Sequence, residues 1–184
     1  MINAKARAIF IATRFPEEEL WPEVIHTATL LDNLTPRYLN GWKSPWQVWH
    51  EAANRWLDKP TPYFVERPDI SFMRVLGCRA YPLNEIGKAI AQHKPIAAAV
   101  KDRVGHPKFG PRAHLGYLIG YGSTLFRMYS TNIYRIWCPG LKSSHTLASR
   151  DVTFNELKMY DPEELDITHL MTWELGPILL DFDI

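Results

Sequence analysis

The sequence predicts an α+β chain with a helical front third, a β-rich middle and an acidic tail. Three observations carry that prediction. From Glu17 onward, Trp21, Val24, Ile25, Ala28 and Leu31 recur at helical spacing and make one apolar stripe over about four turns. Beyond Pro68 the apolar residues gather into short runs bounded by Gly, Pro or Ser, as in a small barrel or sandwich with tight turns. After Tyr160, large apolar and acidic residues mix with neither period. The expected divisions are residues 1–68, 69–160 and 161–184. A length of 184 residues suits one or two small domains.

Each element has a local cause. Residues 4–13 (AKARAIFIAT) hold good helix formers and no breaker. Pro16 suits a first helical turn, and Glu17, Glu18 and Glu19 favour the positive end of the helix dipole. Thr35–Pro36 ends this second helix, because a residue before proline avoids the helical region. Ser44 can cap a third helix with Pro45 at its first position, followed by Trp46, Val48, Trp49 and Ala53. The β-like runs are Ile70 to Pro82, Leu115 to Tyr121, Asn132 to Cys138 and Thr146 to Phe154. Between the first two, Asn84 to Gly110 reads as a long loop with a turn or two of helix; such a loop is functional or disordered. The tail reads as a disordered linker with one docking helix, or as a cover over the basic barrel.

Charge is unevenly distributed. The formal net charge is +1, yet residues 69–150 carry 12 basic against 3 acidic side chains and residues 151–184 carry 1 against 9. A basic stretch of that kind is costly unless it is spread out, paired with the tail or meant for an anion. Several function classes drop out. No run of 18 apolar residues exists to span a membrane. The short patch Ala8 to Ala12 is followed by Arg14 and three glutamates, so no signal peptide is expected and the chain reads as intracellular. Cys78 and Cys138 stand 60 residues apart, without metal-ligand spacing, and read as small buried hydrophobes. His93, His106 and His114 lack the partners of a tetrahedral set. His145, Ser149 and Asp151 have no oxyanion motif beside them. The glycines of GYLIGY lack the context of a phosphate cradle and read as strand bends.

Six ordered blocks then carry a family resemblance. They are LWPEVIHTATLLDNLTP (Leu20 to Pro36), KSPWQVWH (Lys43 to His50), ISFMRVLGCRAY (Ile70 to Tyr81), PRAHLGYLIGY (Pro111 to Tyr121), STNIYRIW (Ser130 to Trp137) and SRDVTFNELKMYDP (Ser149 to Pro162). In this order and spacing, over about residues 4–162, the chain resembles the integrase region of copia-type long-terminal-repeat retrotransposon polyproteins, most of all fungal ones. The resemblance implies that the front helices are a remnant of a ribonuclease-H-like integrase core, and that the β-rich part is the small SH3-like β-barrel that follows it. It also implies a DNA partner and a nuclear location. Integrases of the family join element DNA to host DNA with two aspartates and a glutamate that hold divalent metal. The last of these precedes a KAR-type segment, here Lys5-Ala6-Arg7, and Met1 to Ala4 hold no glutamate.

Metal-assisted phosphoryl transfer needs carboxylates converging on two cations about 4 Å apart. Glu17 to Glu19, Asp32 and Glu51 read instead as helix-start and polar-face residues. The chain is therefore expected to be no enzyme, to bind no cofactor or small-molecule substrate, and to touch no membrane. Three stretches depart from the family pattern: Asp58 to Pro68 is irregular, Asn84 to Gly110 is longer, and Gly122 to Tyr129 looks inserted. A non-functional relic of an element is the alternative they leave open.

The candidate nucleic-acid surface is Lys101, Arg103, Lys108, Arg112, Arg127, Arg135, Lys142 and Arg150. Lys and Arg neutralise phosphates and release counterions, which gives sequence-independent, salt-sensitive binding. Tyr117, Tyr121, Phe126, Tyr129, Tyr134 and Trp137 interleave with them. These rings either stack on unpaired bases or form the barrel core beneath a solvated charged face. Arg150–Asp151 reads as a turn or a barrel-edge ion pair. A competing function is self-association through Trp42, Trp46, Trp49 and Trp56.

Overall fold

The computed structural model describes residues 2–57, 68–84, 87–88, 91–92, 112–122, 132–141 and 146–163. Three α-helices, α1 (Ile2–Thr13), α2 (Glu17–Leu34) and α3 (Pro45–Leu57), precede five strands. The strands are β1 (Cys78–Pro82), β2 (Gly116–Tyr121), β3 (Tyr134–Trp137), β4 (Thr146–Ser149) and β5 (Val152–Met159). They form one antiparallel sheet in the order β4-β3-β2-β1-β5, so the α+β class is as expected. The chain divides into two compact units. One comprises Met1–Arg74 with Ile119–Ile133, and the other Val75–Leu118 with Tyr134–Ile184.

The helical unit follows its sequence signals closely. Arg14, at φ 55°, takes the left-handed conformation that stops α1, and its N–H returns to the Phe10 carbonyl at 2.8 Å. Pro16 flanks α2 and Thr35 closes it, with the Thr35 N–H bonded to Leu31 O. Ser44 and Gln47 make a reciprocal capping box on α3. The Gln47 N–H donates to Ser44 Oγ at 3.2 Å, and the Ser44 N–H donates to Gln47 Oε1 at 2.9 Å.

The α2 stripe is rotated from the expected one. Leu20, Val24, Thr27, Ala28, Leu30 and Leu34 are buried, while Trp21 is 56% exposed. Trp21 lies about 100° round the helix from Leu20, and the longer series through Leu20 takes the core. Thr27 Oγ1 donates to the Ile119 carbonyl at 2.8 Å and fills the space in which a side chain at Gly120 would stand.

The expected first strand is much shorter than Ile70 to Pro82. Backbone groups before Gly77 are committed elsewhere: the Ser71 N–H to Asp69 Oδ1, the Met73 N–H to Ile70 O and the Arg74 N–H to the Tyr121 hydroxyl. Gly77, at φ 82°, turns the chain into β1, and its N–H reaches Leu118 O at 2.8 Å. The expected run Thr146 to Phe154 is instead two strands, bent at Arg150–Asp151. Asn84 starts a helical turn by accepting the Gly87 N–H on Oδ1. Of the expected loop to Gly110, residues 85–86, 89–90 and 93–110 lie outside the described residues, as do Gly122 to Tyr129 beyond its first residue and the tail after Glu163.

β4 and β5 are opposite edges of the sheet, yet only Arg150 and Asp151 separate them. Four inter-strand spacings in a flat sheet measure about 19 Å, whereas the three Cα steps from Ser149 to Val152 cover about 11 Å at most. The sheet must coil until its edges approach. Tyr134 on β3 and Phe154 on β5 accordingly meet with ring centroids 4.8 Å apart. Inside the coil, Ala80, Ile136 and Cys138 form the buried centre, with Tyr134, Leu141, Leu147, Val152 and Phe154 packed against it. Small residues permit the curvature. A Cβ on Gly116 would stand 2.5 Å from Ile136 Cγ2, 2.7 Å from Cys138 Sγ and 2.8 Å from the Trp137 carbonyl. On the opposite surface Tyr117, Trp137 and Tyr160 pack edge-on or tilted, with centroids 4.9 to 6.1 Å apart. Along β5 the register jumps between Arg79↔Asn155 and Cys78↔Met159. Glu156, Leu157 and Lys158 therefore bulge from the ladder, with Leu157 96% exposed.

Two outcomes follow from this packing. Burial pushes the Cys138 thiol up to about 12, so iodoacetamide at pH 8 should leave it unmodified in the folded chain and alkylate it after denaturation. Gly116→Ala should lower the unfolding free energy by about 1–3 kcal/mol through overpacking, read from urea titration with Cys138 alkylation as the probe.

Candidate nucleic-acid interface

The described basic residues of the candidate surface are Arg112, Arg135 and Arg150. Lys101, Arg103, Lys108, Arg127 and Lys142 lie outside the described residues. Backbone bonding gathers the three around the β4–β5 corner. The Leu83 N–H donates to Asp151 O at 3.0 Å, and the next N–H, of Asn84, donates to Arg112 O at 2.9 Å. On the other side, Arg135 is registered opposite Ala148, two residues before Arg150. Arg112 and Arg150 are exposed, whereas Arg135 is half-buried on β3. Among the described residues neither the Arg112 nor the Arg150 guanidinium has an ion-pair partner. Of the two readings of Arg150–Asp151, the turn is the one observed and the ion pair does not form. The two residues make the bend alone.

The aromatic side chains decide between stacking and core. Tyr117, Tyr121 and Trp137 are buried, so the core reading holds for them. Tyr121 sits under Phe72, with centroids 5.2 Å apart, and its hydroxyl both accepts from Arg74 N–H and donates to Arg74 O. Tyr134 is half-buried against Phe154, while Phe126 and Tyr129 lie outside the described residues. Among the described residues the corner thus offers a ligand positive charge, while the rings of Tyr117, Tyr121 and Trp137 are buried. Two guanidiniums on exposed backbone corners suit a phosphate chain better than a base.

The acidic residues are less uniform than sequence suggested. Asp32 is buried, not a solvated polar-face residue: Lys5 of α1 reaches its carboxylate at 2.7 Å and Arg37 contacts its other oxygen. The Lys5 ammonium, with Arg37 beside it, holds this carboxyl below its ordinary 3.8 against the opposing effect of burial. Glu51 accepts from Lys43 Nζ through both oxygens, at 2.7 and 2.8 Å. Among the described residues no three His, Cys, Asp or Glu side chains are placed to hold a metal ion. Ser149 Oγ donates to the Asp151 backbone carbonyl, an arrangement with no nucleophile activation in it.

A groove of about 850 Å³ belongs to the helical unit, with walls that include Leu34, Pro36, Trp42, Glu51, Asn54 and Ile70. Gln47, Glu51, Asn54 and Arg55 supply its polar side from α3. The sequence reading takes Glu51 as a polar-face residue and passes over the other three in favour of the tryptophans. Their spacing of four, three and one residues was the available signal, since it puts them on one helix face. Beside them His50 lies against Trp46 and Trp49, with centroids 3.9 and 4.8 Å away, and burial depresses its pKa below 6.5.

The β-rich part of the chain is a small, coiled, five-stranded antiparallel sheet. Residues 97–168 match the family model of the retroviral polymerase SH3-like domain, a span that includes β2 to β5. The match supports a retroelement polyprotein fragment as the nature of the chain. No curated protein and no solved structure matches it.

Asp32 sets an acid limit on the helical unit. A carboxyl held below its unfolded value stabilises the fold above pH 3.8, and that contribution is lost as pH falls below it. Thermal unfolding between pH 2 and 6 should show a steep fall in stability below about pH 4. Asp32→Asn should flatten it.

Proposed function

We propose that this chain is an integrase-region fragment of a copia-type retrotransposon polyprotein that binds nucleic acid through its barrel without regard to sequence. The observation that carries this reading is the corner where Arg112 and Arg150, exposed and without ion-pair partners among the described residues, flank one end of β1. It lies within the segment that matches the retroviral polymerase SH3-like domain. The excess of basic residues over 69–150 points the same way. The helical unit is read as the end of a ribonuclease-H-like core. The chain supplies grip on the DNA backbone, while strand transfer belongs to the intact polyprotein and its metal-binding carboxylates. A nuclear location follows from this reading alone.

The test is binding of the purified chain to a labelled DNA duplex across a salt series. Affinity should fall steeply with salt. Arg112→Gln with Arg150→Gln should weaken binding similarly on unrelated sequences and lower the slope of log K against log salt by about 0.9 per lost phosphate contact. Binding that ignores both salt and the substitutions would overturn the reading.

A second reading is self-association. Trp42, Trp49 and Trp56 are exposed, although Trp46 is not, being half-buried against His50. Sedimentation should then show dimers that persist at high salt and dissociate in a Trp49→Ala, Trp56→Ala chain. A monomer at every concentration would remove this reading.

A further inference from the structure

We infer that the groove beside α3 receives an unpaired base of single-stranded nucleic acid, a contact separate from the phosphate grip of the barrel. Three features of the groove converge on that ligand. Trp42 lines it with its ring 70% exposed. Among the described residues the ring meets Tyr38 alone, edge-on at 5.9 Å and 79°, which leaves an indole face available for stacking. The backbone holds Trp42 at φ 63°, immediately after Gly41 at the same φ. A bulky residue in the left-handed region is strained, and strain of this kind concentrates where a side chain must be presented in one direction. Here the loop is fixed by the Arg37 carbonyl accepting the Trp42 N–H and by the Arg37 N–H donating to Lys43 O.

The second feature is Asn54. The residue lines the groove, and its Oδ1 is buried without a hydrogen-bond partner among the described residues. An acceptor withdrawn from water is costly until a donor arrives, and every base offers an N–H on its pairing edge. The third is Arg55, one residue on, whose exposed guanidinium comes no nearer to Glu51 than 3.9 Å. Glu51 is already neutralised by Lys43, so Arg55 is available to the phosphate that accompanies the base. A volume of about 850 Å³ is ample for a nucleotide. An apolar peptide would use the walls and the acceptor but neither the stacking face nor the cation. The base is the better fit.

The experiment uses the full chain with Arg112→Gln and Arg150→Gln, so that the barrel's phosphate contacts are weakened in every arm. The probes are a mixed-sequence single-stranded DNA of 12 nucleotides and an abasic chain of the same length. The base-bearing strand should bind about fivefold or more tightly than the abasic one and quench tryptophan fluorescence. Trp42→Gly, which the left-handed backbone accepts without strain, should abolish both the difference and the quench. Asn54→Leu provides a readout that a purely structural role cannot give: it should raise thermal stability, by removing an unsatisfied buried oxygen, while weakening the base-bearing strand. Equal binding of the two probes, or full affinity in Trp42→Gly, would overturn the inference. Neither result would bear on the duplex titration, which reads the barrel in the unsubstituted chain.

Discussion

The two-residue link between β4 and β5 is the constraint from which the second unit is built. Because Arg150 and Asp151 alone join the two edges of a five-stranded sheet, the sheet cannot lie flat. Coiling then dictates composition. The inner surface must be small where strands crowd, hence Ala80 and Gly116, and larger where the coil meets itself, hence Tyr134 against Phe154. Buried Cys138 fills the remaining space near Gly116. The same link sets the chemistry of the surface. A tight corner exposes its residues on a convex bend, and the neighbouring backbone ladder draws Arg112 to it. Fold and charge placement here are one geometric fact.

In the helical unit the corresponding role falls to a buried carboxylate. Asp32 lies near the end of α2 and is held by a cation from α1 and another from the segment after α2. Each partner alone would leave a charge poorly compensated away from water. Together they fix how α1 lies on α2 and where the chain goes next, which is the loop that presents Trp42. The capping box at Ser44 then restarts a helix with its polar face turned to the groove.

Local signals were the legible part of the sequence. The three helices, both ends of α2 and the start of α3 follow from prolines, a capping serine and apolar spacing, because these act within a few residues. The strands were legible where turn residues bracketed them, as for β2 and β3. They were illegible where tertiary bonding decided: Ile70 to Leu76 has β-like composition, but its backbone groups are taken by a turn and by the Tyr121 hydroxyl. The corner at Arg150–Asp151 carries no glycine or proline, and only sheet closure explains it. Among the candidate site residues, charge was readable and exposure was not. Nothing in the spacing separates Arg150, on a bend, from Arg135, half-buried on a strand, or Tyr117 in the core from a stacking ring. The α3 polar stripe was readable but lay beneath a more conspicuous run of tryptophans.

The bulge in β5 bears on how such chains can meet one another. Glu156, Leu157 and Lys158 leave the ladder, and the Leu157 N–H turns back to Asn155 Oδ1 at 3.2 Å. An edge interrupted in this way, with a lysine and a glutamate at the break, is a poor template for a further strand. Leu157 itself stands almost fully exposed at the break. Growth of the sheet from one molecule into the next is therefore blocked along its longest strand. A concentrated or crowded population of these barrels stays separate on that side, and ribbon-like polymerisation is closed off by three residues.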